Sequence, residues 1–438
     1  MSIKFLIELM IIFSVTFIFK MLGFLKKTKD IKLILLISCF NIGLNVNNEA
    51  GKEQIYISLL TTVIFIIFII NIKKKLFKLT LNNLCMLLIC IASLQSYFLS
   101  YIYNKGSYWN LNLTYLSIFI LGLIFNYKNG DYDYIKITEL FTYIAIANGI
   151  LGVFQFVTNK KLLYGQFNNS LYFKNESGMI VKRVVGIVGS NNAAGNLGFI
   201  LFTVVLFNYL RSKEKINLVA LIITTVFSIL TLTRIGYVSI ILTIVLNILI
   251  IKWNNLNAIL KKVLLCGIGL LVIGIIFYFC GDLIIDILFK QRGNTQDARG
   301  IQFKFILDKI ITKNNIMSGI GTGQYKDYAY NNFNYTDIDI HSQYLNFYAE
   351  NGLMVFLAVI FFNVNLFILA FKNCDNNLEK VFITNLFLGN LICCNFNPNE
   401  YYQINNIFYY LLMYDFAYRN RFIYRRNYKS HIYSYTIS

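Results

Sequence analysis

The stretch Thr231-Leu-Thr-Arg-Ile-Gly-Tyr-Val-Ser239 decides how the chain is threaded, because Arg234 is the only charged residue between Ile216 and Ile251. A single helix over that run would reach ~54 Å at ~1.5 Å per residue, well beyond the ~30 Å hydrocarbon layer. The run therefore divides into two spans, 216–233 and 235–251, with Arg234 in the turn between them. That puts a permanent cation at a membrane face and out of the lipid, where it would be costly.

The same reading extends to the whole chain. Of its 438 residues, 57% are hydrophobic and 14% charged, and apolar runs recur from end to end. This is the composition of an all-α polytopic membrane protein, with about 12 or 13 transmembrane helices. Spans are expected near 5–24, 33–47, 55–71, 80–102, 111–126, 135–157, 195–210, 216–233, 235–251, 263–281, 345–371, 381–394 and 404–418. Residues 5–24 read as a first span and not as a cleavable signal peptide, since no small-residue cleavage site follows and further spans come at once. The formal charge of +19 does not indicate nucleic acid, because the cations sit in loops between apolar segments and form no basic domain. Cys39, Cys85, Cys90, Cys266, Cys280, Cys374, Cys393 and Cys394 lie in or beside spans without metal-ligand spacing, so neither disulfides nor a metal are expected.

Orientation follows from the short loops. KKTKDIK at 26–32, KKKLFK at 73–78, RSKEK at 211–215, the segment 252–262 and the tail RNRFIYRRNYK at 419–429 all fall on one side, the cytoplasm by the positive-inside rule. Two long segments, 158–192 and 282–344, carry many lysines and arginines yet fall on the other side, together with Arg234. Topology leaves those cations unexplained, and an anionic ligand on the outer face would account for them. The expected organisation is N-terminal transmembrane helices over 1–157, a first large external loop over 158–192 and central helices over 193–281. A second large external loop over 282–344, C-terminal helices over 345–418 and a basic cytoplasmic tail over 419–438 follow. Within the second loop, RGIQFKFILDKIITK at 299–313 places Phe303, Ile306, Leu307 and Ile310 on one helical face, which suits an interfacial helix or one packed on the protein's own outer surface.

Four constellations carry chemistry. In RVVGIVGSNNAAGNLGF, Arg183 to Phe199, Ser190 and Asn191 are good N-cap types, and Ala194 with Gly198 offers a small face for close helix contact. A helix N-terminus beside an arginine can hold a phosphate, and it is equally an ordinary capped helix start. Arg234 occupies the outer turn of a tight hairpin. QRGNTQDARG supplies Arg292 and Arg299 and leads to GIGTGQY, whose glycines lack the following Gly-Lys-Ser/Thr of a nucleotide loop. HSQYLNFYAENG, His341 to Gly352, sets His341 just before a span with Glu350 nine residues on. An imidazole that is neutral at working pH can take a proton from a hydroxyl, which an arginine cannot do.

Taken in order, Arg183 with SNNAAG, TLTR at Arg234, DAR at Arg299, GIGTGQY and HSQYLNFYAENGLMVFL resemble the O-antigen ligase and O-antigen polymerase superfamily of bacterial membrane glycosyltransferases. The likeness covers about residues 180–370, with Ser190 standing where a proline is common in the family. It implies transfer of a glycan from undecaprenyl diphosphate to an acceptor hydroxyl on the outer face of the cytoplasmic membrane, with no cofactor, nucleotide sugar or metal. By position, Arg234 and Arg299 resemble the arginines that hold the diphosphate, and His341 resembles the histidine that activates the acceptor. Arg183, Arg292, Asn191 and Glu350 are the further candidates for contacting diphosphate or glycan. The implied partners are the lipid-linked donor, a glycan acceptor, membrane lipid, and a chain-length regulator and flippase of the same pathway, with no nucleic acid. Polymerisation of repeat units into O-antigen or capsule is favoured over ligation, because polymerase sequences diverge most and these motifs match loosely. A flippase for lipid-linked sugars is the reading from another class; it would place charges at mid-membrane depth and often show two related halves.

Overall fold

In lipid a backbone can satisfy its polar groups only within its own helix or a closed barrel, and this chain takes the helical solution. The computed structural model describes residues 29–39, 43–47, 54–72, 80–99, 105–128, 134–164, 166–174, 180–250, 295–311, 316–336, 338–397 and 401–419. In chain order these form α1 (Lys29–Ser38), β1 (Gly43–Asn47), β2 (Gln54–Ser58), α2 (Leu59–Ile72), α3 (Leu81–Leu99), α4 (Lys105–Lys128), α5 (Tyr134–Thr158), β3 (Tyr172–Lys174) and β4 (Ile180–Lys182). There follow α6 (Asn191–Ser212), α7 (Lys215–Leu230), α8 (Arg234–Ile250), α9 (Thr295–Phe305), α10 (Tyr325–Phe333), α11 (Gln343–Lys372), α12 (Asn377–Phe396) and α13 (Gln403–Ala417). Among the described residues, four helices are long and apolar enough to cross a membrane: Tyr108–Asn126, Ile137–Thr158, Asn191–Ser212 and Gln343–Lys372. The protein is an all-α polytopic membrane protein.

Two expected spans are built differently. The runs at 33–47 and 55–71 were expected as helices throughout, but β1 and β2 occupy part of each and pair as an antiparallel hairpin from Gly43 with Ser58 to Asn47 with Gln54. Short apolar runs rich in branched residues read alike for strand and helix, and pairing between neighbours decides the matter here. The expected spans at 5–24 and 263–281 lie outside the described residues, as does the tail beyond Arg419.

The described chain forms two compact units. The first comprises residues 1–144, 305–375 and 394–438. Its central helix is α13, buried at every position from Ile404 to Ala417 and flanked by α4 and α11, while α3 packs on both α4 and α11. Aromatic rings fill the seams: Phe141 meets Phe408 edge-on at 4.9 Å between centroids, and Tyr115 meets Phe347 at 5.5 Å. The expected amphipathic segment at 299–313 is α9 followed by a π-helical turn, Ile306–Ile311. The wider i→i+5 turn changes which residues share a face, so Ile306 and Ile310 are buried while Leu307 is exposed. The two isoleucines pack on the chain's own Ile320, Tyr325, Ala329, Ile340 and Ala349.

The second unit comprises residues 145–304 and 376–393. Here α6 is the centre, buried without a break from Ala193 to Val205 and packed on α7 and α8. Small residues permit the approach between α6 and α8. A Cβ on Gly236 would lie 2.8 Å from the Gly195 carbonyl oxygen, and one on Gly195 would collide with the Thr233 side chain. Phe207 stacks on Phe382 at 4.4 Å, and Ser239 bonds Cys393 at 3.2 Å. Gly195→Ala is expected to overpack this seam by about 1–3 kcal/mol and lower the thermal midpoint of the solubilised protein. Gly300→Ala is the control, since a Cβ there meets nothing within 4 Å. Equal melting of the two variants would refute the close packing.

Candidate functional site

Each unit carries a separate cluster of the residues singled out from the sequence. In the second unit, α7 and α8 are joined by the turn Thr231-Leu232-Thr233, and Arg234 is the first residue of α8. Leu232 takes a left-handed backbone with φ 49°, which a branched apolar residue adopts only under constraint. The constraint is visible on both sides of it. Arg183 donates from Nε to the Thr231 carbonyl at 2.8 Å and from Nη2 to Thr233 Oγ1 at 2.8 Å. Thr233 Oγ1 in turn donates to the Asn191 carbonyl at 3.0 Å, joining the turn to the first residue of α6. The Val184 amide donates to the Leu230 carbonyl at 3.2 Å. With only 8% of its surface exposed, Arg183 lies beneath the turn.

The strand end that carries Arg183 is itself fixed from α5. Gln155 accepts from the amides of Val185 and Gly186 at 3.1 and 2.9 Å, and Asn148 accepts from the Ile187 amide at 3.0 Å. Both amide side chains are fully buried. Lys161 donates to the Gly189 carbonyl at 3.2 Å and to Gln166 at 3.1 Å, tying the preceding loop to the entry of α6, and burial pulls its ammonium pKa down. Ser190 caps α6 by position, but its side chain makes no capping bond. The Asn191 side-chain oxygen is buried and accepts no hydrogen bond from the described residues. Arg299 sits half-buried on α9, next to exposed Gly300. Arg292 lies outside the described residues.

In the first unit, His341 stands one residue before the N-cap of α11, partly exposed. Ser342 caps that helix by accepting from the Leu345 amide at 3.3 Å and bonds Asn395 at 3.1 Å. Ile340, immediately before the histidine, is fully buried in the cluster with Ile320, Tyr325 and Ala349. Glu350 is 1% exposed and holds the glycine loop. Its Oε2 accepts from the Gly323 amide at 2.6 Å, its Oε1 from the Tyr325 amide at 3.0 Å, and Asn346 donates to Oε2 at 3.2 Å. The same Asn346 donates to the Tyr401 hydroxyl at 3.0 Å. At Gly352 the helix breaks, with φ 82° and ψ 176°, and a Cβ there would collide with the Met317 backbone. The break leaves the Ala349 and Glu350 carbonyls to accept from the Ile320 and Gly321 amides at 3.1 and 2.8 Å.

Several residues that organise these clusters escaped the motif reading. Gln155 and Asn148 could have been found as buried amides on a membrane helix, which are rare without a reason. Thr231 and Thr233 stand inside the quoted turn, but nothing local ties them to Arg183. Asn346, Asn395 and Tyr401 carry no recognisable spacing.

Compared with known proteins, residues 218–360 match the O-antigen ligase family. No significant match exists among curated proteins. The matched segment includes the Arg234 turn, Arg299, the glycine loop, His341 and Glu350. Within it, Glu350→Gln is expected to turn an amide NH₂ toward a buried backbone N–H and leave donors unmatched, destabilising the solubilised protein by about 1–3 kcal/mol. A melting temperature equal to that of the parent would show that the carboxylate does not hold the loop.

Proposed function

This chain belongs to the O-antigen ligase and polymerase family, and from that membership we propose that it polymerises undecaprenyl-diphosphate-linked oligosaccharide repeat units into surface polysaccharide, O-antigen or capsule, at the outer face of the cytoplasmic membrane. The observation that carries the reading is Arg234 itself, a cation at the first position of α8 in a run with no other charge.

In this reaction the bond between the anomeric carbon and the diphosphate oxygen breaks, and a bond to an acceptor hydroxyl oxygen forms. The lipid diphosphate leaves with the bonding electrons, and the hydroxyl proton goes to a base. Arg234 is the diphosphate ligand: a guanidinium stays charged, binds phosphate oxygens in bidentate fashion, and stabilises charge that grows as the bond breaks. Arg299 and Arg292 join it in that role. His341 is the base that receives the acceptor proton. The unsatisfied Asn191 oxygen suits a sugar hydroxyl donor. Support for polymerisation over ligation comes from the loose motif match, since polymerase sequences diverge most. Ligation uses the same donor chemistry and differs in the acceptor.

Arg234→Ala and His341→Ala are each expected to lower transfer by about 10²–10³-fold, the effect of losing one transition-state contact, while protein levels persist. The readout is the length distribution of surface glycan and lipid-linked intermediates in a deletion strain complemented with each variant. Single repeat units on the surface with long chains lost is the expected result. Long chains accumulating on the lipid carrier would make the protein a ligase, and repeat units trapped on the cytoplasmic face would make it a flippase. Long surface chains in either variant would remove that residue from the mechanism.

A further inference from the structure

We infer that Arg183 is a positioning residue for Arg234, not itself a phosphate ligand, and that Thr233 is the contact through which it acts. The inference rests on the reading of Arg234 as the diphosphate ligand. A guanidinium meant for phosphate keeps its fork toward the ligand, but Arg183 is buried and directs Nε and Nη2 to the carbonyl of Thr231 and the hydroxyl of Thr233. These are the residues on either side of Leu232, whose left-handed backbone turns the chain from α7 into α8. Two bonds from one rigid planar group fix both ends of that strained residue, and so fix where α8 begins. Thr233 passes the constraint to the Asn191 carbonyl at the start of α6. Behind Arg183, Gln155 and Asn148 hold the backbone at residues 185–187 from α5. The result is a chain of buried hydrogen bonds from α5, through Arg183, to the residue directly before Arg234.

The experiment uses full-length protein in proteoliposomes, with lipid-linked repeat unit extracted from the deletion strain as donor. Arg183→Lys and Thr233→Val are each expected to lower kcat by about 10²-fold, the scale of a small misplacement of a catalytic group, with the donor KM little changed. Thr233→Ser, which keeps the hydroxyl, is expected to restore the parent rate. Arg183→Ala combined with Thr233→Val is expected to be no slower than Arg183→Ala alone, because both changes remove the same connection. A rise in donor KM at unchanged kcat in Arg183→Lys, with Thr233→Val at the parent rate, would make Arg183 a direct ligand and overturn the inference. If Arg183→Ala does not fold, the Thr233→Val and Thr233→Ser pair decides alone. Arg234→Ala separates the two levels: parent-like transfer in that variant overturns the diphosphate reading itself, whatever Thr233 does.

Discussion

A backbone carbonyl at the end of a membrane helix has lost its own helical partner and has little water to replace it, so some donor must be brought to it. In the second unit Arg183 is that donor for the turn after α7. The consequences spread outward from one guanidinium. Leu232 can remain left-handed, the 216–251 run can divide into two helices, and Arg234 can stand at the head of the second. Length and the charge of Arg234 already require the apolar run to divide, and the buried donor on the Thr231 carbonyl holds the turn at which it does so. The cost of burying an arginine is offset because its donors meet a buried carbonyl and a buried hydroxyl, the Thr231 carbonyl and Thr233 Oγ1.

The first unit solves the complementary problem with the opposite polarity. There the orphaned groups are amides of the glycine loop, and a buried carboxylate receives them. Glu350 thus does for the loop before α10 what Arg183 does for the turn before α8. In both units an ionisable side chain from elsewhere in the sequence completes a backbone that could not complete itself, and the residue of chemical interest stands nearby. This is the sense in which charge in a membrane protein can be architectural before it is catalytic.

The parts of this arrangement that were legible in the sequence are those governed by local pattern. Long apolar runs became helices close to their expected limits, for example 345–371 within Gln343–Lys372, because lipid allows little else. The division of 216–251 at Arg234 was legible from length alone. Illegible were the strands at 43–47 and 54–58, where a short apolar run is ambiguous, and the π-helical turn at 306–311, which shifts the face that periodicity assigns. For the candidate site, Arg183, Arg234, His341 and Glu350 stood out by type and setting. What they touch did not, since Arg183 reaches residues about fifty positions away and Glu350 reaches residues 25 and 27 before it. Contacts of that separation are products of the fold and leave no spacing to read.

The break at Gly352 has a consequence for how such a protein can diversify. The loop from Ile316 to Gly321 is sewn to the interrupted helix by main-chain atoms: Leu353 amide to Ile316 carbonyl at 2.8 Å, with the Ile320 and Gly321 amides returning to carbonyls on the other side of the gap. A seam of this kind is indifferent to most side chains that cross it. Drift at Ile316 and Met317, both exposed, therefore leaves the packing of Ile320 with Ile340 in place. A lineage could rewrite the outward surface of this loop many times while Ile340, the residue before His341, kept its packing with Ile320.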